Sequence, residues 1–131
     1  MSEQIAQRFI EALGRLESER DLEPIVAAFA ESCEVGNVLV PEQFRGRDGA
    51  RTFWTEYRDA FGEVRSSFRN VVAAEGRAAL EWTSEGTGAS GEPFRYDGVS
   101  ILEMADGGIT RFRAYFDPAA LGRQLQHPER G

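Results

Sequence analysis

Side chains able to do acid–base or nucleophilic work are scarce in this sequence, and the scarcity sets its first chemical limits. All fifteen basic residues are arginine, so no lysine amine is present to form a Schiff base. The single histidine, His127, stands among Pro128, Glu129 and Arg130 and reads as a solvated tail residue. The single cysteine, Cys33, falls near the end of an expected helix and reads as a small core residue. Without a placed histidine, Ser-His and Cys-His nucleophiles lack their base, and histidine-containing metal sites are excluded. No metal and no cofactor are expected. Gly86, Gly88 and Gly91 lie in a turn between strands rather than ahead of a helix, so they do not form a phosphate loop. The acid that stands out is Asp117, which could serve as a general acid at a pocket rim or cap a helix opened by Pro118. The Asp-Pro pair favours the cap. Asp117 is nevertheless a candidate for a catalytic group.

Asp117 closes a stretch, 109–116, in which Phe112, Ala114 and Phe116 alternate with Arg111, Arg113 and Tyr115. A period of two predicts a strand with one apolar face, followed by a short helix over 119–125. Upstream, Ile5, Phe9, Leu13 and Leu16 recur at helical spacing, predicting a helix over 3–16 with Ser2 as its N-cap. Asp21 is expected to cap a second helix with Ile25, Val26, Phe29 and Ala30 on its buried stripe. A strand over 35–40, ended by Pro41, follows. Asp48 is expected to cap a third helix carrying Ala50, Phe53, Trp54, Tyr57 and Phe61. From Ser66 onward the period changes to two, with strands over 68–74, 78–87 and 94–104. Their tight connections, Glu75-Gly76 and Asp106-Gly107-Gly108, imply antiparallel pairing.

Three amphipathic helices ahead of a strongly curved antiparallel sheet, with a short C-terminal helix, make an α+β fold. One domain over 1–131 is expected, with 126–131 as a polar tail. Curvature at glycines and bulges would turn such a sheet into a cone with an internal pocket. By parity Glu81, Thr83, Glu85, Arg95, Val99, Ile101, Arg113 and Tyr115 face outward. Mixed charge around a few apolar residues suits a two-fold contact, so a homodimer through this face is expected. Asp97 is also expected to face outward, unless Gly98 marks a bulge that reverses it. The formal net charge of −7 argues against a nucleic-acid partner. No apolar run is long enough for a membrane span, and no basic stretch leads into an apolar one, so a cytoplasmic location is expected.

The order of these elements, the loop Gly46-Arg47-Asp48-Gly49 leading into Phe53-Trp54, and the ending Tyr115-Phe116-Asp117 before Leu121, Gln124 and Leu125 resemble the nuclear transport factor 2-like superfamily. Within it, the chain is most similar to SnoaL-like polyketide cyclases and their ketosteroid isomerase and limonene epoxide hydrolase relatives. The resemblance covers nearly the whole chain. It implies a conical α+β barrel with a deep apolar pocket, often dimeric. Where isomerase-like relatives carry a tyrosine, a general base and a protonated acid, this sequence has Phe9, Asn37 and Ser100. The Arg–Asp pair of hydrolase-like relatives aligns with Trp82 and Ser84. The last-strand acid, also the cyclase acid, aligns with Ala114. The resemblance therefore implies the pocket without the known chemistry. The expected ligand is a small apolar or aromatic molecule, held by Phe9, Phe53, Trp54, Tyr57, Trp82, Ser100, Phe112, Ala114 and Phe116, with Asn37 and Ser84 as polar groups. The alternative is an enzyme of the cyclase, isomerase or hydrolase type working through Asp117, Asn37 or Tyr96.

Overall fold

Ile5, Phe9, Leu13 and Leu16 form one buried stripe along α1 (Ser2–Glu19), which ends at Arg20 in the left-handed conformation. The computed structural model describes residues 1–39 and 44–125. Val40 and Pro41, where the first strand was expected to end, and the tail with His127 lie outside the described residues. α2 (Glu23–Ala27) is a single turn. It leads into β1 (Phe29–Asn37), the two-residue β2 (Phe44–Arg45) and α3 (Gly46–Asp59). Four strands then follow one another, β3 (Phe61–Ala74), β4 (Arg77–Gly88), β5 (Pro93–Ala105) and β6 (Gly108–Phe116), before α4 (Pro118–Leu125).

The six strands form one sheet in the order β2-β1-β6-β5-β4-β3. Asp106 and Gly107, both at positive φ (52° and 83°), make the two-residue turn between β5 and β6, as a tight hairpin requires. Glu75-Gly76 joins β3 to β4 in the same way, with Gly76 at φ 78°. The strand faces follow the alternation. Leu80, Trp82, Ser100, Leu102, Phe112 and Ala114 are buried against the helices, with Phe116 packed beside them. Arg111 and Arg113 remain partly exposed on the other face.

The N-terminal third differs from the local pattern. The sheet is mixed rather than wholly antiparallel, because β1 runs parallel to β6, with Val35 opposite Phe112 and Asn37 opposite Ala114. The second helix is short for the same reason. The Ala28 carbonyl already accepts from the Ile109 N–H, and Phe29 pairs opposite Ile109, so the backbone belongs to the sheet from there on. Phe29 and Cys33 thus reach the core from a strand, not from a helix.

The expected caps shift as well. Ser2 accepts the Gly76 N–H through its hydroxyl, tying α1 to the β3–β4 turn instead of capping its own helix. Asp21 accepts the Glu23 N–H, although Leu22 is the N-cap of α2. α3 starts at Gly46, ahead of the expected cap, leaving Asp48 in its first turn where the helix dipole favours an acid. Phe61 begins β3 rather than ending α3. Arg58 folds over that junction and donates to the Phe61 and Gly62 carbonyls.

On the outer face, Arg69 lies 3.3 Å from Glu81 and 3.4 Å from Asp97, and Arg65 lies 2.6 Å from Glu85. These carboxylates are therefore paired within the sheet. The Thr83 hydroxyl, a nearby donor, and Arg69 hold the exposed Asp97 below the usual carboxylate range. Gly98 marks no bulge, since the β4–β5 register runs through it unbroken. It is glycine because the Trp82 ring lies across it. A Cβ there would fall 2.4 Å from the ring and 2.7 Å from the Tyr115 carbonyl oxygen. Gly98→Ala is expected to cost about 1–3 kcal/mol of stability by overpacking. Urea denaturation measures this, and an unchanged midpoint would show that Trp82 does not depend on the missing side chain.

Candidate functional site

Between the helices and the inner sheet face lies a cavity of about 370 Å³. Phe9 and Leu13 from α1 and Phe53, Trp54 and Tyr57 from α3 form one wall. Trp82, Ser84, Ser100, Phe112, Ala114 and Phe116 form the sheet side, with Asn37 at the end of β1 and Leu121 and Leu125 of α4 also on the lining. All eleven residues singled out from the sequence as pocket-lining stand on this wall. Two aromatic groups flank the space. Phe112 meets Phe9 and Trp54 at ring-centroid distances of 5.3 and 5.1 Å, while Trp82, Tyr96 and Phe116 pack edge to face on the sheet.

Asp117 lies elsewhere. It is exposed, absent from the cavity lining, and its Oδ1 accepts the N–H groups of Ala119 (3.0 Å) and Ala120 (3.3 Å). That is an N-cap geometry for α4. Asn37 Oδ1 accepts the Leu39 N–H at 2.8 Å and turns the chain at the end of β1. Burial pushes the Cys33 thiol up, against its use as a thiolate nucleophile.

The sequence reading passed over Glu17, a carboxylate only 5% exposed. Its position was legible in principle, because Phe9, Leu13 and Glu17 follow one another at four-residue steps on the buried face of α1. Glu17 Oε2 accepts the hydroxyls of Tyr57 and Ser66, each at 2.6 Å, and Oε1 accepts the Ser66 backbone N–H at 2.8 Å. Ser66 Oγ lies 2.6 Å from Ser84 Oγ. Tyr57, Ser66 and Ser84 line the cavity, whereas Glu17 stands behind them. Three hydrogen bonds therefore compensate this buried acid in place of an ion pair.

Several donors on the lining have no partner among the described residues: Trp54 Nε1, the Tyr96 and Ser100 hydroxyls and the Asn37 side-chain NH₂. Trp82 Nε1, by contrast, donates to Ser100 Oγ at 2.9 Å. Burial holds the Tyr57 hydroxyl well above the ordinary tyrosine range, and the neighbouring Glu17 charge adds to it. Tyr96 is raised by the same two causes in the same order. Neither phenol can act as a base near neutrality. Among the described residues, no cluster of three or more His, Cys, Asp or Glu side chains could hold a metal ion. No described helix is long and apolar enough to cross a membrane.

This geometry can be set beside known proteins. The model of the SnoaL-like domain matches residues 6–112. The chain belongs to the SnoaL-like family. No curated protein matches the sequence. Solved structures similar to this SnoaL-like chain include TerC co-crystallised with polyporic acid, at 20% identity and a TM-score of 0.82, covering 96% of this chain and 98% of that one. A nuclear transport factor 2-like protein of unknown function from Burkholderia pseudomallei is also 20% identical, with a TM-score of 0.84 and the same coverage. An LEH-like epoxide hydrolase of M. tuberculosis is 22% identical, with a TM-score of 0.71, over 93% of this chain and 90% of that one. At such identities the likeness shows the fold.

The buried tyrosines make stability depend on alkaline pH. In the unfolded chain a tyrosine ionises near pH ~10, whereas native Tyr57 and Tyr96 keep their protons there. Unfolding then releases protons, so stability should be retained below pH ~10 and fall as the pH rises beyond it. Urea midpoints between pH ~8 and ~11 should show the fall, and Tyr57→Phe should make it shallower. A Tyr57→Phe variant with the same slope as wild type would contradict this assignment.

Proposed function

We propose that this SnoaL-like protein binds a small, largely apolar or aromatic molecule between its helices and sheet, without the acid–base chemistry of its isomerase and hydrolase relatives. The observation that carries the reading is the wall itself. It is built largely of aromatic rings, and the few polar groups on its sheet side are hydroxyls and the Asn37 amide rather than carboxylates. The volume lies in the range of small-molecule sites, which runs from about 300 to 1,000 Å³. The co-crystallisation of the similar TerC with polyporic acid supports the same use of the fold. An acid–base reaction needs a titrating group within reach of the substrate. Asp117 is occupied as a cap away from the cavity, and Glu17 is screened by its own donors. Glu56 of α3, the carboxylate that does reach the lining, is exposed to solvent.

Titration with apolar aromatic ligands should quench Trp54 or Trp82 fluorescence. Ala114→Phe, which fills the space from the sheet side, should weaken binding about ten-fold or more. Turnover of a ketosteroid or an epoxide that a single cavity substitution abolishes would overturn the reading in favour of an enzyme.

The outer sheet face is our candidate for a two-fold contact. Val99, Ile101 and the 44%-exposed Tyr115 form its apolar part, and Arg113 lies over the Tyr115 ring. Light scattering at micromolar concentration should give a dimer, and Tyr115→Glu should shift it to monomer. A wild-type monomer at that concentration would remove the proposal.

A further inference from the structure

Counting hydrogens in the buried cluster behind the cavity gives each of its hydrogen bonds a direction. The Ser66 backbone N–H can only donate, and it faces Glu17 Oε1 at 2.8 Å. As a carboxylate, Glu17 receives at Oε2 the hydroxyl hydrogens of both Tyr57 and Ser66. With its one hydrogen committed there, Ser66 Oγ must accept from Ser84. Each hydroxyl hydrogen therefore points toward Glu17 and away from the cavity. Tyr57 and Ser84 have only oxygen lone pairs left for whatever fills the space they line. Ser84 is 2% exposed, so bulk water does not readily serve it, and an unmatched acceptor there is costly.

We infer that the cavity selects an apolar molecule carrying a hydroxyl or N–H donor, such as a phenol, an enol or an alcohol, and that Glu17 sets this selectivity without touching the ligand. This rests on the reading of the cavity as a binding site. Glu17 is a positioning residue: it takes the hydrogens of Tyr57 and Ser66, and through Ser66 that of Ser84. An ether or ester of the same shape offers only lone pairs to these lone pairs. The unmatched donors, Trp54 Nε1, the Tyr96 and Ser100 hydroxyls and the Asn37 NH₂, can serve a ligand oxygen in either molecule. They do not distinguish a hydroxyl from its ether.

The test compares 2-naphthol, its methyl ether and naphthalene by calorimetric titration of the full chain. Wild type should bind the naphthol about ten-fold more tightly than the ether, the value of one net hydrogen bond. In Glu17→Gln, the amide oxygen stays with the Ser66 N–H, and the amide NH₂ donates to the Tyr57 and Ser66 hydroxyls. Their hydrogens are released toward the cavity, so the naphthol's advantage should vanish or reverse in favour of the ether. A loss of folding alone would weaken both ligands together and leave their ratio unchanged. Ser84→Ala removes a cavity-facing acceptor without altering Glu17, and should also bring the ratio toward one. It decides the matter if Glu17→Gln fails to fold. Equal affinities for naphthol and ether in wild type would overturn the inference while leaving the binding function standing. No binding of any of the three, naphthalene included, would overturn the binding function itself.

Discussion

Phe112 is the ring against which helices and sheet are set. It projects from the central strand β6, is 2% exposed, and meets Phe9 of α1, Phe29 of β1 and both Phe53 and Trp54 of α3 at centroid distances of 5.1 to 6.3 Å. Such contacts add on the order of 0.5–1.5 kcal/mol each beyond area burial and prefer edges over flat stacking. Edge contacts hold the helices at a fixed stand-off from the curved sheet. On one side of Phe112 that gap is filled by Phe29, Val35 and Leu102, all fully buried. On the other side it is bounded by Trp82, Ala114 and Phe116, and the cavity remains.

The legible part of this architecture was the part with a short period. Alternation placed Phe112, Ala114, Trp82 and Ser100 on one face because a strand gives each residue no choice but to alternate. Hairpin chemistry at Asp106-Gly107 settled the direction of β6 against β5. What could not be read was decided by partners far along the chain. Ile25, Val26, Phe29 and Ala30 satisfy a helical stripe, yet pairing with β6 takes Phe29 into a strand. The four-residue step from Leu13 puts Glu17 on the buried face of α1, but its partners Tyr57 and Ser66, forty and forty-nine residues away, are brought to it only by the fold. Gly98 left a bulge open as the exception to an outward Asp97, because nothing local announces that the Trp82 ring will lie across it.

Glu17 also shows how an acid can be kept inside an apolar domain without a cationic partner. Three donors meet its two oxygens, and they come from α3 and β3. The carboxylate thus joins the two helical walls and the distant end of the sheet at one point. Its influence on the cavity is carried by hydroxyl orientation, and Glu17 adds no charge to the wall itself.

The parallel pairing of β1 with β6 has a consequence for the order in which the molecule assembles. β3, β4 and β5 each pair with the next strand in sequence, so this meander closes only short loops. β1 instead joins residues near 35 to residues near 112, and that long closure must be met before its contacts repay the lost chain entropy. Contact-order reasoning therefore makes β1 docking a late event, with low φ-values at Val35 as its kinetic signature. Until that event Phe112 and Ala114 lie on an uncovered strand. The surface that later becomes the inside of the cavity is, in the half-assembled chain, its most adhesive edge.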